Sequence, residues 1–88
     1  MIVTFRESFA KDLGAIRDKG FLKRVAGVIE AAEEAASLTE LPHVKKLKGG
    51  AGYYRIRVGG YRLGIVARGN ELVFVRILDR KDIYRYFP

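Results

Sequence analysis

The sequence predicts an α+β fold in which one strand and a two-helix hairpin precede a three-stranded antiparallel meander. Apolar residues recur at helical spacing between residues 8 and 36, and from Tyr53 onward they alternate with polar residues. A loop with glycines at positions 49, 50 and 52 separates the two patterns. The 88 residues suit a single domain, which we expect to span 1–88.

The N-terminal part predicts a strand and two helices. Residues 2–6 alternate and contain β-forming side chains, which predicts a short strand. Ser8 is expected to cap a helix over 8–18, and Gly20 is expected to break it. A second helix then runs to about Ala36. Its apolar face is formed by Phe21, Leu22, Val25, Val28, Ile29 and Ala32. The two helices form a hairpin that covers one face of the sheet, which leaves the other face more exposed.

The structure of the rest of the chain is predicted from its turn residues and from the alternation of polar and apolar side chains. Residues 37–52 are expected to form a loop, because Pro42 and the glycines interrupt regular structure. Residues 79–88 are a short helix or an irregular tail. Three strands joined by glycine-containing turns are predicted at 53–58, 61–68 and 71–78.

The net charge of +7 is concentrated in the middle of the chain. Residues 1–40 carry six basic and seven acidic side chains, and residues 71–88 carry four basic and three acidic ones. Residues 41–70 hold seven basic side chains and no acidic one. A field concentrated in this way attracts a polyanion, such as nucleic acid, an acidic protein or a membrane surface.

Three arginines are predicted to share the exposed face of the meander. Alternation places Arg55 and Arg57 together, and the turn at Gly59-Gly60 brings Arg62 beside them. Like charges on adjacent strands are unfavourable unless something compensates for them, and guanidinium groups bind phosphate oxygens in pairs. One such arginine alone would be explained as the solvated side of a sheet. The set without an acid predicts a phosphate-binding surface.

Further candidates lie at the border of this surface. Arg80 follows the last strand, and Tyr84 shares a face with it if residues 80–86 are helical, so that the ring can stack on a base. Tyr84 is equally explained as a half-buried aromatic. The candidates for binding RNA or the ribosome are Lys45, Lys46, Lys48 and Arg68, with a solvated loop as the alternative for the lysines.

The composition excludes several kinds of site. The chain has no cysteine, which excludes disulfides, thiolate metal sites and cysteine nucleophiles. Its only histidine, His43, has no partner in sequence that would predict a role in chemistry. We expect no metal and no cofactor. No segment has the pattern of a secretory signal or the length of a membrane helix, so we expect a cytoplasmic protein.

Three segments have a distinctive sequence: Leu47-Lys-Gly, Tyr53-Tyr-Arg-Ile-Arg-Val-Gly-Gly-Tyr-Arg-Leu and Asp79-Arg-Lys-Asp-Ile-Tyr-Arg. They are similar to segments of the RelE/ParE superfamily of toxins. The middle one is specific for the superfamily, and together with the last it favours the RNA-cleaving RelE branch over the gyrase-poisoning branch. The spacing and element order agree over essentially the whole chain. The resemblance implies a RelE-like β-α-α-β-β-β fold.

The resemblance implies a toxin of a type II toxin–antitoxin system that cuts messenger RNA in the ribosomal decoding site without a metal. In that branch the ribose 2′-hydroxyl attacks the adjacent phosphate. Arg55 and Arg57 fall where the best-known members have lysines. Arg62 falls on a phosphate-contacting arginine, and Arg80 on an arginine proposed to protonate the leaving group. Tyr84 falls on a tyrosine that stacks against a base.

Two positions depart from the family pattern. Arginine almost never loses its proton, so Arg55 and Arg57 do not supply the general base that a lysine would. Cleavage then proceeds by positioning and charge stabilisation, or another group such as Tyr53 or Tyr84 takes the proton, or the protein binds without cutting efficiently. Asp79 stands where relatives commonly have a histidine, and it is placed to pair with Arg80.

Two other functions are alternatives to the ribonuclease. One is a ParE-like toxin that inhibits DNA gyrase without nuclease activity, and the other is a catalytically weak module that binds RNA or an antitoxin. All three share one expected partner, a short, acidic and amphipathic antitoxin that folds on contact. We expect the toxin to be monomeric alone, hetero-oligomeric with this antitoxin, and not bound to membranes.

Overall fold

The computed structural model describes residues 1–50 and 52–88 and confirms the α+β fold. Its five-stranded sheet has the order β1-β5-β4-β3-β2, and β1 alone runs parallel to its neighbour, β5. None of the helices in these ranges has the length and apolarity needed to cross a membrane. The elements are β1 (Ile2–Phe5), α1 (Glu7–Gly14), α2 (Lys19–Glu34), a 3-10 turn (Leu38–Glu40), β2 (Val44–Lys46), β3 (Tyr53–Val58), β4 (Tyr61–Arg68), β5 (Glu71–Asp79) and α3 (Ile83–Tyr86).

Helix α1 covers the edge of β5 beyond the end of β1. Ser8, predicted to be the N-cap, instead donates its hydroxyl proton to the backbone carbonyl of Val75. One turn later the Asp12 carboxylate accepts hydrogen bonds from the Ile77 backbone N–H and from Arg76 Nε, both at 2.8 Å. These contacts satisfy backbone and side-chain groups on a strand edge that would otherwise be open.

Helix α2 begins before the glycine that was predicted to end the preceding helix. Asp18 is its N-cap, and the Asp18 carboxylate accepts a hydrogen bond from the Phe21 backbone N–H at 3.1 Å. Gly20 therefore lies in the first turn of α2, and α1 already ends at Gly14. The predicted apolar face of α2 is confirmed, since Phe21, Val25 and Ala32 are buried.

The main core lies between the two long helices and one face of the sheet. Phe9 of α1 meets Phe74 of β5 edge to face, with ring centroids 5.4 Å apart. The alternation predicted for the meander is confirmed, because every second residue of β3 and β4 contributes to this core. Those residues are Ile56, Val58, Leu63 and Ile65.

The opposite face of the sheet is less open than predicted, because the C-terminal segment folds back across half of it. Helix α3 and the residues after it bury a second, smaller cluster. Gly64 of β4 permits this approach, since a Cβ there would lie 2.8 Å from ring carbons of Phe87. Tyr53 packs against the same ring at a centroid distance of 5.8 Å. We call this the tail cluster; it consists of Leu47, Val66, Val73, Ile83 and Phe87.

Part of the predicted loop over 37–52 is regular structure. Strand β2 pairs antiparallel with β3, with Lys45 opposite Arg55. Three residues are too few for a recognisable alternation of polar and apolar side chains, so the sequence pattern did not reveal this strand. Ala51, which the prediction also placed in the loop, lies outside the described residues.

Candidate functional site

Basic side chains occupy the half of the second face that the tail leaves uncovered. Arg57 of β3 and Arg62 of β4 are direct partners in the antiparallel register, and Arg55 lies one pleat further along β3. Facing side chains in such pairs have Cβ atoms about 5 Å apart. The predicted convergence of these three arginines is therefore present. We call the whole group the cationic cluster; it consists of Lys45, Arg55, Arg57, Arg62 and Arg80.

Arg80 reaches the cluster from a turn. The prediction that Arg80 and Tyr84 share a helical face is wrong, because α3 covers only Ile83–Tyr86 and Arg80 lies in the preceding turn. The Arg80 backbone N–H donates to the Gly60 carbonyl at 3.0 Å, which fixes the turn beside the β3–β4 hairpin. Tyr84 comes from α3, whose Ile83 is fully buried in the tail cluster.

The charges of the cluster act on one another. Burial lowers the pKa of Arg62, and the charges of Arg55, Arg57 and Arg80 lower it further, while Tyr84 opposes the shift. Arginine remains protonated despite this, because its ordinary pKa is so high. The buried Nε–H of Arg55 finds no acceptor within residues 1–50 and 52–88. The cluster thus presents concentrated positive charge that attracts an anion.

Tyr84 combines an exposed ring with an unusually acidic phenol. The neighbouring Arg55 side chain is the largest cause that lowers its pKa. Partial burial opposes the shift, and the charges of Lys45 and Arg62 lower the pKa further. The side chain is 62% exposed, which leaves the ring open to stacking. The ring can therefore stack on a base, and the phenol loses its proton more readily than that of an ordinary tyrosine.

His43 belongs to the site although the sequence offered no partner for it. Its backbone carbonyl accepts a hydrogen bond from Arg55 Nη1 at 3.0 Å, and its ring Nδ1 lies 3.0 Å from Arg57 Nη2. Arginine can only donate, so Nδ1 accepts and the proton of the neutral ring is on Nε2. The pairing of β2 with β3 creates these contacts, so no local pattern in the sequence could have predicted them.

No carboxylate within the described residues neutralises the cluster. The expected ion pair between Asp79 and Arg80 is absent from this part of the chain, and the Asp79 carboxylate instead accepts from the Lys81 backbone N–H at 3.1 Å. The same ranges contain no group of three His, Cys, Asp or Glu side chains arranged to hold a metal ion. Arg62 is oriented by backbone groups, since its Nη1 donates to the carbonyls of Gly59 and Tyr61.

The four residues predicted to bind RNA or the ribosome lie at two separate places on the molecule. Arg68 is the last residue of β4, whereas Arg62 is near its start, about 20 Å away along the strand at the usual rise. Arg68 therefore does not join the cluster. The three lysines do lie together, around an open cavity of about 290 Å³ beside the site. Its lining residues are Lys45, Lys46, Leu47, Lys48, Tyr84, Phe87 and Pro88.

We predict that Gly64→Ala withdraws Tyr84 from the cluster. The new methyl group would collide with the Phe87 ring, so the tail must lift from β4, and the free energy of unfolding should fall by about 1–3 kcal/mol. Ultraviolet titration should show the pKa of Tyr84 returning toward its ordinary value. Gly60→Ala is the control, because a Cβ there meets nothing within 4 Å. An unchanged Tyr84 titration in Gly64→Ala would contradict the tail's role.

We further predict that Tyr84 ionises below the ordinary tyrosine pKa of about 10. The difference between the titrations of the wild-type chain and Tyr84→Phe isolates this phenol. Arg55→Met should raise its pKa, because the first cause of the shift is removed. Added salt should raise it too, because salt screens the attraction between cations and phenolate. A Tyr84 transition that neither change moves would show that the cluster does not control this group.

Comparisons with known proteins agree with this fold. A family model described as the ParE toxin of the type II toxin–antitoxin system parDE matches residues 3–84. Toxin RelE3 of Methanocaldococcus jannaschii is 46% identical over 93 positions, with both chains covered in full. The crystal structure of a RelB-RelE antitoxin-toxin complex from Methanococcus jannaschii matches with a TM-score of 0.81 and 42% identity, over 97% of this chain and 99% of that chain.

A more distant structure shares the fold. The YoeB dimer from Staphylococcus aureus matches with a TM-score of 0.71 at 21% identity, over 89% of this chain and 94% of that chain. The family model spans nearly the whole chain, and the similarity to a RelE toxin extends over its full length. The chain therefore belongs to the RelE/ParE superfamily, as a RelE-like toxin of a type II toxin–antitoxin system.

Proposed function

We propose that residues 1–88 form one toxin domain that acts as a metal-independent endoribonuclease and cleaves messenger RNA on the ribosome. The cationic cluster carries this proposal, because it presents unneutralised arginines beside an exposed tyrosine of lowered pKa. Phosphate is the anion that fits several converging guanidinium groups, and a stacking ring favours single-stranded RNA over a duplex.

The arginines stabilise the charge that develops at the reacting phosphate. Arg57 and Arg62 face each other across two strands, so their guanidinium groups can hold the two non-bridging oxygens. Negative charge on those oxygens grows as the pentacoordinate phosphorane forms. Donors fixed in advance by the sheet and by the backbone contacts of Arg62 stabilise that state without reorganising.

Tyr84 takes the proton that the arginines cannot take. Its phenolate removes the proton of the ribose 2′-hydroxyl, whose oxygen attacks the adjacent phosphorus while the bond from phosphorus to the 5′-oxygen breaks. Arg80 stabilises the leaving oxygen, which receives a proton from water. The products are a 2′,3′-cyclic phosphate and a 5′-hydroxyl. The lowered pKa of Tyr84 supports this role, since it enlarges the phenolate fraction near neutral pH.

An acidic, amphipathic antitoxin is the proposed partner of the free toxin. Solved structures that share this fold include a RelB-RelE antitoxin-toxin complex and a heterotetrameric YoeB-YefM toxin-antitoxin complex. Acidic side chains would neutralise the cationic cluster and occlude it from RNA. We propose that the toxin is monomeric alone and forms a hetero-oligomer with this antitoxin.

A gyrase-directed toxin is the second candidate, because the matching family model carries the ParE description. Such an inhibitor has no need for an arginine–tyrosine site. Cells that express a gyrase inhibitor would show DNA damage with intact transcripts, whereas cells that express a ribonuclease would contain cut transcripts. A binding module without activity would produce neither effect.

We predict that Arg62→Ala and Arg80→Ala each relieve growth arrest while the fold stays intact. Loss of one transition-state donor should lower the cleavage rate on translated messages by about 10²–10³-fold. Primer extension after induction measures the cuts, and circular dichroism checks the fold. Arg17→Ala is a control with the same change in charge at an exposed position outside the cluster. Full toxicity of both variants would refute the site assignment, and DNA damage without cut transcripts would favour the gyrase alternative.

We predict separate effects for the hydroxyl and the ring of Tyr84. The cleavage rate of the wild-type toxin should rise with pH up to the Tyr84 pKa, because the base acts as phenolate. Tyr84→Phe should lose this rise and about 10²-fold in rate but retain RNA affinity, whereas Tyr84→Ala should also lose affinity. A pH profile that is the same in wild type and Tyr84→Phe would exclude Tyr84 as the base and leave positioning and charge as the source of catalysis.

A further inference from the structure

We propose that a flanking nucleotide of the bound RNA occupies a second subsite beside the β3–β4 turn, on the side of α2. The inference rests on the proposed function, since this nucleotide belongs to the transcript that the cationic cluster holds. The phosphate part of the subsite is an open cavity of about 350 Å³. Its lining residues are Arg24, Val28, His43, Arg57, Val58 and Gly59.

The absence of a side chain at Gly59 leaves room for the guanidinium group of Arg24 at this cavity. Arg24 lies on α2, and its guanidinium rests against Gly59, where a Cβ would collide with Nη2. Gly59 has a φ of +58°, a conformation that also favours glycine. No carboxylate within the described residues forms an ion pair with Arg24. Its N–H groups therefore lie at the cavity and are available to an anion.

Arg57 and His43 supply further donors to the same cavity. His43 Nδ1 accepts from Arg57 Nη2, so the neutral ring carries its proton on Nε2 and donates from there. His43 has a φ of +63°, a left-handed conformation that costs energy in a non-glycine residue. Such positions cluster at ligand sites, and His43 is one that lines this cavity.

The cavity has the charge expected for a phosphate site. None of its lining residues is acidic. Asp18 lies on the other side of Arg24 and lines a different cavity, where its carboxylate caps α2. Arg57 belongs both to this cavity and to the cationic cluster, in which it faces Arg62. A strand of RNA can thus continue from one site to the other without a break in positive charge.

An adjoining apolar cavity of about 240 Å³ suits the base of the same nucleotide. The two cavities share four lining residues, so a phosphate and its base can occupy them together. The shared residues are Arg24, Val28, His43 and Arg57. Unstacked bases of single-stranded RNA rest on apolar and aromatic surfaces in this way. The remaining lining residues are Gly27, Ala31, Leu41, Pro42 and Ile56.

The phosphate contact is tested with RNA of two lengths that carries 2′-O-methyl groups and so cannot be cleaved. Arg24→Ala should weaken binding of an oligonucleotide of about eight residues by about tenfold and reduce its salt slope by about 0.7, with dinucleotide binding unchanged. Lys23→Ala is the matched control, because it removes one charge from an exposed neighbour on α2 that does not line the cavity. It should stay within about twofold of wild type.

The apolar cavity proposed to hold the base is tested by filling it with a larger side chain. Gly27→Leu should fold, since a Cβ at Gly27 meets nothing within 4 Å and leucine favours a helix more than glycine does. An abasic residue at one position of the long oligonucleotide should weaken binding to the wild-type chain. In Gly27→Leu that penalty should disappear while the salt slope stays the same.

Three results would overturn the subsite. Arg24→Ala could leave the long oligonucleotide unaffected, or weaken both lengths equally, which would make Arg24 part of the first site. Arg24→Ala and Gly27→Leu could also weaken only antitoxin binding, which would assign the cavities to a protein partner. Cleavage by the Arg62→Ala variant is measured in parallel. Retained cleavage there would refute the role of Arg62, whereas no cleavage by the wild-type chain would refute the proposed function. The Arg24 binding comparison is decided independently of both results.

Discussion

The antiparallel register of β3 and β4 sets Arg57 directly opposite Arg62, and the rest of the site depends on this unfavourable pairing. The same two strands supply Ile56, Val58 and Leu63 to the main core on their other face. Burial of these side chains, each worth about 1.5–3 kcal/mol, outweighs the repulsion between exposed guanidinium groups. The hydrophobic face thus fixes the register, and the register holds the charges together. No carboxylate in residues 1–50 and 52–88 contributes to this.

The tail cluster likewise fixes the position of Tyr84 by apolar packing. Ile83 and Phe87 anchor α3 to the second face of the sheet, and the missing side chain at Gly64 gives the Phe87 ring its place. The tyrosine lies between these two anchors in sequence. Its phenol is consequently held beside Arg55 by apolar packing, and the arginines need not supply the binding energy that keeps it there.

Local sequence patterns were sufficient to predict the contacts between residues that are close in sequence. The period of two and the turn at residues 59–60 were enough to place Arg55, Arg57 and Arg62 on one face, since a hairpin pairs adjacent segments. Gly20 was misleading, because Asp18 is a strong N-cap and the cost of a glycine in the first helical turn is small beside it. The contacts of His43 and the docking of Phe87 join segments distant in sequence, so periodicity carried no information about them.

Both flanks of the sheet are short. β1 has four residues and β2 has three, and α1 covers the edge of β5 where β1 has ended, with the Asp12 carboxylate bonded to the backbone of that edge. A short or covered edge strand is a poor template for pairing with a strand from another molecule. The architecture therefore disfavours edge-to-edge aggregation of a chain whose sheet also exposes a strongly basic face.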